Sequence, residues 1–365
     1  MKSKRKSTHL SKNKIILIVT IAVLVVAIMV TLTLSNQINS LFGVNVESPA
    51  TTTTTNNTSE FIDGYVNKLP SEFDVNSLLE VHFVNIGQGD AIVINCPDDK
   101  TILIDAGSVT TGISEIETNY MNYLDIITDD KIIDYLIVTH PHTDHYNMLD
   151  KVLENYDVKE IYYNENEEEK VGYGNFIEES KEEPSIVIHE VDHESLFATI
   201  TGTNYTLDIY ACGDNAFTNA DEPNCMSIIC LLTYANRQIL FTGDAETTTE
   251  EWFMQKYGND EDIDIDILKV GHHGSDSSTS SEFLDYLEPE YAIISCDDGT
   301  KYGHPHQVTM DKLNAYGIVT YRTNIHGNIL LFLDGDGDFG FLTQNPEDTQ
   351  NNSKNIDAKQ IKITA

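Results

Sequence analysis

At 365 residues the chain is too long for one average domain and too short for three. Its 22 basic and 59 acidic residues give a formal net charge of −37; six of the basic residues precede Ile15, so the rest of the chain sets 16 basic residues against 59 acidic ones. A charge of that sign repels polyanions at long range and argues against strong non-specific nucleic-acid binding, although a bound divalent metal would invert the field locally.

The elements follow in chain order. Lys2, Lys4, Arg5, Lys6, Lys12 and Lys14 precede an uncharged apolar run, Ile15 to Leu34. At 1.5 Å per residue such a run spans about 30 Å, the thickness of a hydrocarbon core. A cleavable signal peptide has an apolar core of about 7–15 residues and a small-residue cleavage site; this run is longer and ends without Ala-x-Ala. The expectation is a retained anchor, with the basic segment 1–14 in the cytosol and everything after Leu34 outside. Residues 35–77, which include SPATTTTTNNTS, are rich in Thr and Asn and read as a flexible linker. Residues 344–365 read as a polar tail, leaving 78–343 as the folded domain.

Within that domain LLEVHFVNI, AIVINC and TILIDAG are short β-branched runs broken by turn residues, and read as strands. Ile113, Ile116, Tyr120, Tyr123, Leu124 and Ile127 form a helical stripe over 112–127. DYLIVTH is a strand ending at His140, followed by a helix with Met148, Leu149, Val152 and Leu153 as its apolar face, then the strand VKEIYYN. The acidic run Glu165–Lys170 and the nearby EESKEE read as a solvated insertion. CMSIICLLTYA and RQILFTGDA read as a hairpin, followed by a helix over 246–257 and the strand DIDILKVGHHGS. Helix 279–287, strand EYAIISC, helix 306–315 and the strands GIVTYR and NILLFLD complete the domain. This order predicts two sheets packed face to face with helices outside. The five cysteines contain no CxxC and suggest no disulfide framework; they read as small buried residues.

The chemistry concentrates at strand ends. In THPHTDH, His140 and His142 fall on one side of an extended stretch, and Asp144 and His145 follow where the chain turns into a helix. Three imidazoles and a carboxylate suit zinc, manganese or iron better than calcium or magnesium. Asp105 closes TILIDAG, Asp244 closes ILFTGD, His272 and His273 follow ILKVG, and His304 and His306 stand in YGHPH. Each of these has an ordinary reading alone, Asp244 as a helix cap for instance. Their common placement after apolar strands points to one rim.

HPHTDH, followed by TGD and HHGS, resembles the HxHxDH signature and motif order of the metallo-β-lactamase superfamily. VHFVNIGQGDAIVI, LIDAG, PNCMSII, LFTGDAE, LKVGHHGS and YGHPH resemble, more narrowly, the exported hydrolase domain of ComEC competence proteins, over about residues 78–335. The resemblance implies an α/β fold, the αββα sandwich, here preceded by a single transmembrane helix. It implies two divalent ions, zinc or manganese. His140 and His142 would bind one, Asp144 and His145 the other, with Asp244 bridging and His272 completing the second; His273 is the alternative to His272. Asp105, and similarly Asp90 of GQGD, would orient ligands from behind. One departure stands out: Asn224 occupies the place where the superfamily usually offers another histidine.

The resemblance implies a hydrolase in which the ions activate water, Asp144 orients or deprotonates it, and His304 donates to a substrate oxygen or leaving group. His306 stands near enough in sequence to contact the substrate. The expected substrate is a phosphodiester, either DNA or a choline- or teichoic-acid-type wall polymer. Against DNA stands the scarcity of cations near the motifs, chiefly Lys269, Lys301 and Arg322. A surface binding module with a residual metal site is the non-catalytic alternative.

Overall fold

Strands buried on both faces set the layering of this domain. The computed structural model describes Leu69 and residues 73–345, apart from 129, 165–170, 192–194, 213–222, 259–261 and 298–300. The expected anchor and basic segment, almost all of the linker, the run Glu165–Lys170 and nearly all of the tail lie outside the described residues. Among the described residues no helix is long and apolar enough to cross a membrane.

The first half runs β1 (Leu79–Phe83), β2 (Ala91–Asn95), β3 (Thr101–Ala106), α1 (Ile113–Ile127), β4 (Ile132–Val138), α2 (Thr143–Tyr146), α3 (Leu149–Asn155), β5 (Asp157–Tyr163), α4 (Val171–Glu182) and β6 (Val187–Glu190). The second half begins with β7 (Ser195–Thr201), β8 (Tyr205–Ala211), β9 (Ile229–Tyr234), β10 (Arg237–Phe241), α5 (Thr247–Tyr257), β11 (Ile267–Lys269) and α6 (Ser281–Leu287). It closes with β12 (Tyr291–Ile294), α7 (Gln307–Tyr316), β13 (Val319–Arg322), α8 (Thr323–His326), β14 (Ile329–Leu333) and β15 (Phe339–Thr343). One sheet has the order β15-β14-β1-β2-β3-β4-β5-β6 and the other β13-β12-β11-β10-β9-β8-β7. The chain enters the first sheet through β1–β6 and returns to it with β14 and β15, so both halves contribute to it.

Period-two alternation sorts each strand between two cores. Val81, Phe83, Ile92, Ile94, Ile102 and Ile104 meet Ile239, Phe241, Ile267 and Ile293 between the sheets. The intervening residues Val93, Leu103, Leu136 and Val138 face an outer layer built from Tyr120, Leu124, Leu149, Val152 and Phe176 of α1, α3 and α4. On the opposite side Leu240, Leu268, Ala292 and Ile294 pack against Phe253, Phe283, Leu284 and Leu313 of α5, α6 and α7. The result is the αββα sandwich. Burial on both faces is why these strands read as almost continuous apolar runs.

The sequence reading missed α4 and the strands β6, β7, β8 and β15. EESKEE is the C-terminal end of α4 and the residue after it, and its carboxylates are exposed. Tyr173, Phe176, Ile177 and Ser180 of the same helix are buried, so it covers the sheet rather than projecting from it. The apolar positions were diluted by glutamates, which hid the helical stripe. The strand read through DIDILKVGHHGS ends at Lys269, because the histidine pair leaves the sheet in a tight turn. All five cysteines are free and buried.

Leu331 lies in β14 with no exposed surface, in the layer between the sheets. Leu331→Ala is expected to lower unfolding free energy by about 2–5 kcal/mol, the usual cost of such a cavity. Urea denaturation followed by tyrosine and tryptophan fluorescence measures it; a loss under about 1 kcal/mol would mean the layer is not tightly packed there.

Candidate metal centre

The parallel strands β3 and β4 of one sheet and β10 and β11 of the other deliver the site residues where they end. Sites in open α/β sheets form outside the carboxyl ends of strands, where backbone groups leave the ladder. Thr139, just past β4, ties the two sheets together: its carbonyl accepts from the Ile228 amide at 3.0 Å. Its own amide donates to Asp105 Oδ1 at 2.8 Å and its hydroxyl to Asp105 Oδ2 at 2.7 Å.

Three histidines share one arrangement. His145 Nδ1 lies 2.7 Å from Asp105 Oδ2 and donates to it. His273 Nδ1 donates to the Ser295 carbonyl at 3.0 Å. The His140 Nδ1 faces the Thr139 hydroxyl oxygen at 3.1 Å, whose proton is already directed to Asp105. Each ring therefore gives its Nδ1–H to an outer acceptor, and in the neutral ring the lone pair sits on Nε2. The inward Nε2 atoms meet a carboxylate. Asp244 Oδ2 is 3.3 Å from His145 Nε2 and 3.7 Å from His140 Nε2, and Asp244 Oδ1 is 3.5 Å from His273 Nε2. Asp144 Oδ2 is 3.5 Å from the same His273 nitrogen.

Nε2 atoms and carboxylate oxygens this close in a buried cleft need protons or a cation between them. His145 Nε2, His273 Nε2, Asp244 Oδ1 and Asp90 Oδ1 are buried and have no hydrogen-bond partner among the described residues. The donor atoms form tight groups: His140, His142 and Asp244 make one, and Asp144, His145 and His273 another. Asp90 joins Asp244 and His273 in a third, and Asp105 and His145 in a fourth. The imidazole–carboxylate chemistry and the orphaned atoms fit divalent metal.

The geometry separates the adjacent histidines. Gly271–Gly274 form a 3₁₀ turn in which His272 (φ 47°) and His273 (φ 53°) are both left-handed. His273 points inward, buried, into the group with Asp144 and His145. His272, assigned in the sequence reading to complete that group, lies to one side. Its Nδ1 is 3.2 Å from Glu246 Oε1 and 3.2 Å from Ser277 Oγ, and its Nε2 is 3.8 Å from Asp244 Oδ2. Asn224 donates to Glu246 Oε1 at 3.2 Å and lies 3.5 Å from both His272 ring nitrogens, while its buried Oδ1 has no partner among the described residues.

Asp90 Oδ2 accepts from Lys269 Nζ at 2.9 Å, and both side chains are buried. Lys269 also donates to the Val270 carbonyl. It is thus committed to the interior of the site, not available for phosphate on the surface as the sequence had suggested. His304 is nearly buried, with its ring 5.3 Å from that of His272 and 6.2 Å from that of His273. Both nitrogens of His306 serve the loop: Nδ1 accepts from the Asp276 amide and Nε2 donates to the Tyr302 carbonyl. The sequence reading missed Gln88, Glu246 and the role of Lys269. A lysine inside the apolar run IDILKV was the available signal for the last.

Electrostatics follow from this crowding. Burial resists ionisation of Asp244, but the charges of His273 and His145 hold its carboxyl well below the usual range. Burial likewise opposes a charged His145, yet Asp244 and Asp105 hold its imidazolium well above the ordinary value. Burial, joined by the neighbouring His145, pushes His140 well down. Burial and the adjacent histidines lower His304 to about 4.

A profile of the Metallo-beta-lactamase superfamily matches residues 84–297. The chain belongs to that superfamily. Within it, the chain is similar to competence proteins of the ComEC type. It is 30% identical over 266 residues to ComE operon protein 3 of Bacillus subtilis, covering 68% of this chain and 32% of that protein. It is 28% identical over 250 residues to Recombination protein 2 of Haemophilus influenzae, covering 68% of this chain and 28% of that protein. It is 34% identical over 119 residues to Competence protein ComA of Neisseria gonorrhoeae, covering 33% of this chain and 17% of that protein. The chain spans about a third or less of the length of these relatives.

Two outcomes test the geometry. His273→Ala is expected to lower the zinc retained after dialysis, while His272→Ala leaves it unchanged, as read by elemental analysis; the reverse pattern would favour His272. Zinc affinity is expected to rise with pH. A proton held on His145 above its ordinary pKa competes with metal and must leave on binding. Competition titrations between pH 6 and 8 should show about tenfold tighter binding per unit for each proton released, and a flat profile would contradict it.

Proposed function

We propose that this chain is a metal-dependent phosphodiesterase, held at the cell membrane by the segment Ile15–Leu34 with its catalytic domain outside. The observation that carries the reading is the convergence of three imidazole Nε2 atoms and two carboxylates in one buried cleft of a metallo-β-lactamase sandwich. His140, His142 and Asp244 would hold one ion, and Asp144, His145 and His273 the other, with Asp244 between them. Two divalent ions, zinc or manganese, supply positive charge that brings a water proton towards neutral pKa and offsets charge on phosphoryl oxygens.

The chain's own residues do the rest. Asp105 and the Ser295 carbonyl lock the orientation of His145 and His273. Asp144 is the most accessible carboxylate of the cluster, and is placed to take the proton of the attacking water. His304, held neutral by burial, is placed to donate a hydrogen bond to a substrate oxygen or to the leaving-group oxygen.

Two phosphodiesters compete as the substrate. DNA is favoured by the likeness to competence proteins. A wall polymer of the teichoic-acid type is favoured by the acidic balance and by the burial of Lys269, which removes one of the few cations near the motifs. The same balance leads us to expect no strong non-specific binding of nucleic acid. A binding module with a residual metal site would show metal uptake without turnover.

The test is hydrolysis of bis-p-nitrophenyl phosphate with manganese, zinc or magnesium. Asp244→Ala should fall to background while keeping its circular-dichroism spectrum, because several kcal/mol of charge stabilisation are lost with the ions. An unchanged rate would remove Asp244 from the centre, and no turnover by the unaltered protein with any of the metals would remove the enzyme reading. Parallel incubation with single-stranded DNA and with teichoic acid separates the two substrates.

A further inference from the structure

His304 differs from the other buried histidines of the cleft in which nitrogen carries its proton. His140, His145 and His273 each direct Nδ1–H outward and an Nε2 lone pair inward. At His304 the neighbour of Nδ1 is the side-chain amide nitrogen of Gln88, 3.1 Å away. An amide N–H donates and does not accept, so Nδ1 must supply the lone pair. The neutral ring then carries its proton on Nε2, which among the described residues makes no hydrogen bond.

The backbone of Gln88 is held on both sides. The residue is buried, at 1% exposure, in the turn Gly87–Asp90. Its main-chain amide donates to Thr110 Oγ1 at 2.8 Å, its main-chain carbonyl accepts from the Val109 amide at 2.9 Å, and the Thr110 hydroxyl donates to Asp297 Oδ2 at 3.1 Å, while its buried side-chain Oε1 has no hydrogen-bond partner among the described residues. The same turn carries Asp90 to Lys269. One short segment therefore serves both sides of the cleft.

We propose that Gln88 is a positioning residue that fixes His304 in the Nε2–H form, so that this histidine stays out of metal ligation and presents a hydrogen-bond donor to an oxygen of the scissile phosphodiester. This rests on the phosphodiesterase reading for the identity of that oxygen, but not for the tautomer. The arrangement divides the labour among clustered histidines. Those with an inward lone pair bind cations, and the one with an N–H binds an anionic oxygen. A carboxylate at position 88 reverses the division, because it accepts from Nδ1–H.

The experiment uses the full chain in detergent with ¹⁵N-labelled histidine rings, metal-free and zinc-loaded. His304 signals are assigned by their loss in His304→Asn, and long-range ¹⁵N–¹H spectra read the tautomer directly. The unaltered protein should show Nε2 protonated and Nδ1 bare. Gln88→Glu should move the proton to Nδ1, and Gln88→Leu should give both forms. In Gln88→Glu, kcat on bis-p-nitrophenyl phosphate should fall about 100-fold with KM within about twofold, as for loss of a hydrogen-bond donor aimed at charge that develops in the transition state. An Nδ1–H ring in the unaltered protein, or the same tautomer in all three proteins, overturns the assignment. A tautomer that switches in a protein with no phosphodiester turnover upholds the role of Gln88 in setting the ring and removes the substrate reading alone.

Discussion

Asp90, Asp105, Asp144 and Asp244 converge on one cleft between two sheets, and all but Asp144 are almost completely buried. Buried like charges are tolerated only when cations or donors surround them. Lys269 answers Asp90, and Thr139 and His145 answer Asp105. Asp144 and Asp244 are left facing Nε2 atoms that, in neutral rings, carry lone pairs. That imbalance is the constraint on which the rest depends. It suits the cleft to a metal, and the Nδ1 atoms of His145 and His273 donate outward, away from the carboxylates.

The sandwich is the means of holding this arrangement. Parallel strands from both sheets end at the same rim, and hydrogen bonds from the Ile228 amide to the Thr139 carbonyl and from Lys269 to Asp90 cross between the sheets there. Asp105 belongs to one sheet and Asp244 follows a strand of the other, so His145 is gripped from both. A site shared in this way needs the inter-sheet core to be well packed, since displacement of either layer would separate its ligands.

Much of this was legible in the sequence, for physical reasons that can be named. The strands of the two central layers are buried on both faces, so their apolar runs were unmistakable, and ligand-type residues after them stood out. HPHTDH, Asp105 and Asp244 stand after such runs, and the structure brings them together in one cleft. The choice between His272 and His273 was not legible, because it turns on two successive left-handed residues that reverse the usual alternation. Lys269 looked like a surface cation, as lysine usually is. Only the position of Asp90, 179 residues away in sequence, shows why it is inside. The helix Val171–Glu182 was obscured because its exposed face is crowded with acid.

Gly89 lies where the Gly87–Asp90 turn meets the loop after β3 and the start of α2. A Cβ there would stand 1.9 Å from the Gly107 carbonyl oxygen and 2.6 Å from that of Asp144, and one on Gly107 would stand 2.5 Å from the His145 amide. Backbone touches backbone on this side of the cleft, so no side chain of any size can be accommodated without moving the residues that face the metal. The opposite rim, where Tyr302 is exposed beside His304, has no such restriction. Mutational drift is therefore channelled. The side built from Gly89 and Gly107 is closed to added side chains, while the side that carries Tyr302 and Gly303 has room for them.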